Sequence, residues 1–192
     1  MQADYSIECG ADDECLEMPW ASEDGKLRYI DLKLDPARIL DLEEATLFPE
    51  LADFLRLTNS SSSVFQTAKC DAGFTHDLTM DDEVFGTEAK FWCYVDLLFT
   101  SPIRLHSFEQ HEASATNLVR LLHRAPEMPA AAEFLLRRCY SAEDPSQEGF
   151  YFTCYVFGYS DSQAEARQHW GIALRLVAGA LADVSVGLNN QV

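Results

Sequence analysis

A five-residue strand signature occurs twice in this chain, and no other sequence feature constrains the fold as much. Phe91-Trp-Cys-Tyr-Val95 and Phe152-Thr-Cys-Tyr-Val156 agree at four of five positions. Each follows a similar segment, Phe65-Gln-Thr-Ala-Lys-Cys70 or Phe134-Leu-Leu-Arg-Arg-Cys139, with a basic residue just before the cysteine. Each precedes a Ser-x-x-Gln step, Ser107 to Gln110 and Ser160 to Gln163, the capping-box pattern that opens a helix. Apolar residues then recur at helical spacing: Ala115, Leu118, Val119 and Leu122, and again Trp170, Ala173, Leu174, Val177 and Leu181. Three matches in one order point to a duplicated ββα unit, at about 60–124 and 130–186. The spacing between copies shortens from step to step, as connections of unequal length would make it.

Upstream, Leu27–Leu34 alternates and reads as the first strand. Asp35-Pro36 reads as a helix N-cap and first helical residue, with Ile39, Leu40, Leu42, Ala45 and Leu47 behind it. Pro49 restarts the helix before Leu51, Phe54, Leu55 and Leu57, and Thr58–Ser63 is a loop. The resulting order, β-α-β-β-α-β-β-α, implies an α+β fold: an antiparallel sheet with helices mainly on one face. This is the ferredoxin-like order plus an extra strand and helix. If Ile103–His106 forms a short strand, it is instead two β-α-β-β modules plus a terminal helix.

A chain of 192 residues suits one well-buried core. Residues 27–192 are therefore expected to form a single α+β domain. Residues 1–26 carry eight acids against the single Lys26 and read as an acidic N-terminal arm, touching the domain through Met18, Pro19 and Trp20. Fourteen Lys and Arg against 32 Asp and Glu give a net charge of −18. That field repels nucleic acid and anionic membranes. It serves solubility, or presents an acidic surface to a basic protein partner. No run of eighteen apolar residues and no basic-then-apolar leader occurs, so a cytoplasmic setting with reduced thiols is expected.

Alternation assigns the sheet faces. Phe91, Cys93, Val95, Leu97 and Phe99, with Phe152, Cys154, Val156 and Gly158, suit the side under the helices. Trp92, Tyr94, Asp96, Thr153, Tyr155, Phe157 and Tyr159 point the other way. Centring the second hairpin near Ser146 puts Cys139 opposite Cys154 and Arg138 opposite Tyr155, with Arg137 on the helix side. By the repeat, Lys69 faces Tyr94. The candidate ligand-binding set is thus Lys69, Trp92, Tyr94, Arg138 and Tyr155, two cations beside aromatic rings. Such a face is covered by a second subunit in a homodimer, by the chain's own terminal segments, or by a small molecule bearing a carboxylate or phosphate. The expected role is a binding or interaction module. The alternatives are a small enzyme using the same cleft, with Asp96 or Asp71 as its titratable group, and an acidic inhibitor of a basic partner.

The remaining chemistry-bearing residues have structural readings. None of the six cysteines falls in a Cys-x-x-Cys pair, so no metal site or cofactor is expected. Cys70, Cys93, Cys139 and Cys154 read as inert thiols facing the core. Cys9 and Cys15 flank three acids in the arm, a place for a labile disulfide or an adventitious metal contact. His111 aligns with Ala115 and Leu118 on the packed side of its helix, while Glu109 and Glu112 suit the first turn. Cys70, His76 and Asp77 have the types of a nucleophile, base and orienter but come from one short stretch. Asp81-Asp82-Glu83, with Gly86, reads as a solvated loop.

Overall fold

The computed structural model describes residues 1–79, 82–142, 144 and 146–190. Six strands form one mostly antiparallel sheet: β1 (Gln2–Glu8), β2 (Cys15–Met18), β3 (Phe65–Thr75), β4 (Ala89–Phe99), β5 (Ala130–Ser141) and β6 (Glu148–Ser160). The helices are α1 (Glu43–Leu47), α2 (Pro49–Thr58), α3 (Pro102–Leu105), α4 (Phe108–Leu122) and α5 (Gln163–Asn189), with 3₁₀ turns at Pro36–Asp41 and Asp82–Phe85. The strand order is β1-β5-β6-β4-β3, with β2 continuing along β5 beyond β1. The fold is α+β, as expected, but its element order is neither the ferredoxin-like nor the two-module one.

The N-terminal residues are not an arm. β1 and β2 pair in parallel with β5, Tyr5 against Phe134 and Leu16 against Cys139. β5 would otherwise expose a long row of unpaired backbone groups, and two short, charged strands cover it. Leu27–Leu34, conversely, is not a strand. The Asp31 carboxylate accepts hydrogen bonds from the backbone N–H of Lys33 and Leu34 (3.0 and 2.8 Å), a local turn that replaces a ladder. Leu27 and Leu34 consequently stay 65% and 85% exposed. Ile103 lies in the short helix α3, so the extra-strand alternative fails too.

Several local signals are borne out. Pro36 and Pro49 each occupy the first turn of a helical segment. Ser107 caps α4, its side chain accepting from the Gln110 N–H. In α5 the cap shifts two residues, from Ser160 to Ser162, which accepts from the Glu165 N–H. α5 is long and apolar enough to cross a membrane by length and composition, and half of its most apolar window is buried against the rest of the protein.

The helices α2, α4 and α5 lie over one sheet face. Phe91, Cys93, Val95, Leu97, Phe152, Cys154 and Val156 meet Trp170, Ala173, Leu174, Val177 and Leu181 of α5 in the main core. Gly158 is where α5 crosses β6: a Cβ there would sit 2.2 Å from the Trp170 nitrogen and 2.4 Å from the Ala166 oxygen. On the opposite face, among the described residues, the fully buried apolar cluster is small: Leu16, Leu98, Cys139 and Tyr151, under Met18, Trp20 and Leu105. Cys139 therefore faces away from the main core it was expected to join.

Candidate functional site

The face away from the helices is paved by alternate residues of the two central strands. Trp92 pairs with Phe157 and Tyr94 with Tyr155 across the β4–β6 ladder. The Tyr94 and Tyr155 ring centroids are 6.0 Å apart, and Tyr155 stacks on Phe157 at 6.1 Å. Trp92 lies across β3 where Gly73 leaves room; a Cβ there would come 3.2 Å from its Nε1. All four rings are half-buried.

One end of this block falls into a polar niche of about 190 Å³, lined by Glu14, Lys69, Tyr94, Asp96, Arg137, Thr153 and Tyr155. Three of the five residues expected to bind a ligand, Lys69, Tyr94 and Tyr155, meet here. Trp92 shares the face but lies outside the niche. Arg138 is elsewhere, because the β5–β6 register differs from the one the turn position implied. Arg138 pairs with Phe150 and Cys139 with Gly149, while Glu133 faces Tyr155. An odd-numbered slip exchanges the faces of a strand, so Arg138 reaches the Gly10 carbonyl and the Glu148 carboxylate at the sheet margin. Its neighbour Arg137 takes the central position. Likewise an irregularity between Thr67 and Cys70 puts Asp71, not Lys69, directly opposite Tyr94.

Arg137 is already neutralised. It contacts Glu8 at 2.7 Å and Glu14 at 2.9 Å, and donates to the Thr153 hydroxyl at 3.2 Å. Lys69 is different: among the described residues it makes no ion pair, and its ammonium rests 5.4 Å over the Trp20 ring. Asp96 is nine-tenths or more buried and accepts a 2.7 Å hydrogen bond from the Thr153 hydroxyl. Burial lifts its carboxyl to about 7, against the lowering effects of the Thr153 hydrogen bond, Lys69 and Arg137; Glu14 pushes the same way as burial. The niche thus pairs an uncommitted cation with an acid that changes charge near neutral pH. Asp96 had been considered from alternation alone. Thr153 falls on the open face by the same alternation, whereas Glu14 and Arg137 lie outside the expected set, although the alternation of Ala132, Phe134 and Leu136 toward the core places Arg137 on the open side.

Beyond the niche, Asp82 is buried rather than solvated. It accepts from Thr79, from the Tyr159 hydroxyl at 2.7 Å and from the Lys90 ammonium at 2.5 Å, which pins the β3–β4 connection to the sheet. Burial raises its carboxyl, but these hydrogen bonds outweigh burial and hold it below the usual range. Asp81 lies outside the described residues. Cys70, His76 and Asp77 do not act as a unit: burial pushes the Cys70 thiol far up, and the His76 ring donates to the Glu88 carbonyl. Cys9 and Cys15 are free thiols, both raised chiefly by burial. Among the described residues no three His, Cys, Asp or Glu side chains converge as a metal set. Comparison with protein-family models, curated proteins and solved structures finds no match for this chain.

Proposed function

We propose that this chain is a binding module that takes a small molecule bearing a carboxylate or phosphate in the niche beside Lys69. The observation that carries the reading is Lys69 itself, a cation without a carboxylate partner among the described residues, lining a polar hollow in a chain of net charge −18. An anion there gains a charge-assisted hydrogen bond from Lys69 and hydroxyl donors from Tyr94 and Tyr155, while the Thr153 hydroxyl stays committed to Asp96. Isothermal titration with acetate and with phosphate tests it. At least one is expected to bind saturably in the millimolar range, about −4 kcal/mol, and Lys69→Met to abolish the signal. Lys69-independent or absent binding of both ends the proposal.

Asp96 supports a second reading, acid–base chemistry on the bound molecule, since a group titrating near 7 suits that task. Asp96→Asn separates the two readings: a pure binding module keeps its ligand, and an enzyme loses turnover at retained affinity. The half-buried aromatic block beside the niche supports face-to-face stacking of two copies. Sedimentation of a monomer at high micromolar concentration would remove that homodimer and leave the niche reading standing. We also read the two ββα units as duplicated halves, an interpretation supported by the pairing of Tyr94 with Tyr155.

A further inference from the structure

Lys69 lines two hollows. Besides the niche, it borders a cavity of about 520 Å³ between β3 and residues 20–44, whose apolar lining includes Trp20, Leu32, Leu42 and Leu55. Leu32 and Leu55 are buried. The Trp20 indole is fixed by donating to the Ala68 carbonyl at 2.8 Å, which holds its ring beneath the Lys69 ammonium. Lys26, Arg28 and Arg38 also border the cavity, so four of the chain's fourteen basic residues line it, against the three acids Asp41, Glu43 and Glu44. Lys26 and Arg38 are paired at 2.8 and 2.9 Å with Asp24 and Asp41. Lys69 is not. By contrast, the cavity of about 720 Å³ beside the β3–β4 connection has its lysine, Lys90, already neutralised by Asp82. The apolar groove of about 640 Å³ along Met18, Leu98 and Cys139 is lined, among the described residues, by neither Lys nor Arg.

We infer that the anion held at Lys69 is the carboxylate head of an amphiphile whose apolar body lies in the cavity behind Trp20. This rests on the niche reading and adds the ligand's class to it. The cavity falls within the roughly 300–1,000 Å³ of small-molecule sites. Lys69 stands where an apolar floor meets a polar hollow, as a head-and-tail ligand requires. Each methylene moved from water into the cavity tightens binding by about fourfold, so chain length reports directly on the cavity.

Titration of the full chain with acetate, octanoate and octanol, followed by calorimetry and tryptophan fluorescence, tests this. Octanoate is expected to bind at least about 100-fold more tightly than acetate, to perturb tryptophan emission, and to lose most of that affinity in Lys69→Met. Leu27→Trp adds bulk at an exposed position bordering the cavity; it is expected to weaken octanoate while leaving acetate unchanged. If acetate binding depends on Lys69 but octanoate is no tighter, the amphiphile is wrong and the niche stands. If octanoate and octanol bind equally and without regard to Lys69, the inference is overturned as plain apolar partitioning. If no anion responds to Lys69, both proposals fall.

Discussion

The two faces of this sheet use alternate residues of the same strands, yet they are built on opposite terms. Under the helices, Cys93, Val95, Cys154 and Val156 are fully buried and apolar, and α5 crosses so closely that Gly158 has no room for a methyl group. On the other face, half-buried rings surround Asp96, Arg137 and Lys69. On the packed face a histidine, and on the open face a carboxyl, is shifted toward its neutral form. His111 sits among Phe99, Phe150 and Phe152, its Nδ1 donating to the Ser107 carbonyl, and burial lowers it to about 4. Asp96 is raised to about 7, again mainly by burial, but it borders a hollow. The difference is instructive. Packing alone sets the state of His111, whereas whatever enters the niche can reset that of Asp96.

The largest effect should come from the packed face. Gly158→Ala forces the α5 backbone off β6, because the clashing atoms are main-chain nitrogen and oxygen that cannot rotate away. A loss of more than about 4 kcal/mol in urea unfolding is expected. A loss under about 1 kcal/mol would show that α5 does not seat on β6 as described, and the contrast between the faces would collapse.

The two titrating groups sharpen the same contrast through pH. His111 has a folded value of about 4, below its ordinary 6.5. The unfolded chain then takes up the proton first, and stability is lost as pH falls from about 6.5 to about 4, by about 3 kcal/mol. Asp96 works in the other direction. Its folded value of about 7 lies above 3.8, so its contribution is complete below about pH 4 and is lost as pH rises through 7, at most about 4 kcal/mol. Between pH 4 and 6.5 the slopes oppose, and the native protein should vary little. Asp96→Asn should unfold at higher urea than the native chain above pH 7, gain nothing at pH 4, and lose stability steeply on acidification. His111→Phe should do the reverse, becoming steadily more stable as pH falls from 7 to 4. Parallel pH profiles for the two variants would mean that the groups do not belong to separate environments.

What the sequence made legible follows from where its signals are local. The faces of β4 and β6 follow from strict alternation, and Pro49 and Ser107 mark helix starts by chemistry confined to one turn. The β1 pattern was also present: Ala3, Tyr5 and Ile7 alternate with Gln2, Asp4, Ser6 and Glu8. Its acidity argued for solvent, and its parallel partner β5 lies more than a hundred residues away, so nothing local announced the pairing. The niche failed on register. Placing Arg138 beside Tyr155 depended on the centre of a turn, and an odd displacement moves every side chain to the other face. Lys69, Tyr94 and Tyr155 still converge because the tyrosines sit on the well-determined central pair and Lys69 lies at the irregularity in β3.

Gly73→Ala is the smallest change and the counterpart of Gly158→Ala on the open face. The atoms nearest its Cβ would be those of the Trp92 indole, at 3.2 to 3.3 Å. That ring is half-buried rather than enclosed, so it can tilt by the few tenths of an ångström required. The backbone at Gly73 is not in the left-handed region, and replacing glycine where alanine fits lowers unfolded-state entropy, a gain of about 0.4–1 kcal/mol. Crowding of the indole opposes this gain, and the net change should stay within about 1 kcal/mol. Trp92 emission should shift all the same, because the ring moves toward solvent. A loss as large as that of Gly158→Ala would mean that the aromatic block is packed as tightly as the core, and that the open face is open in name only.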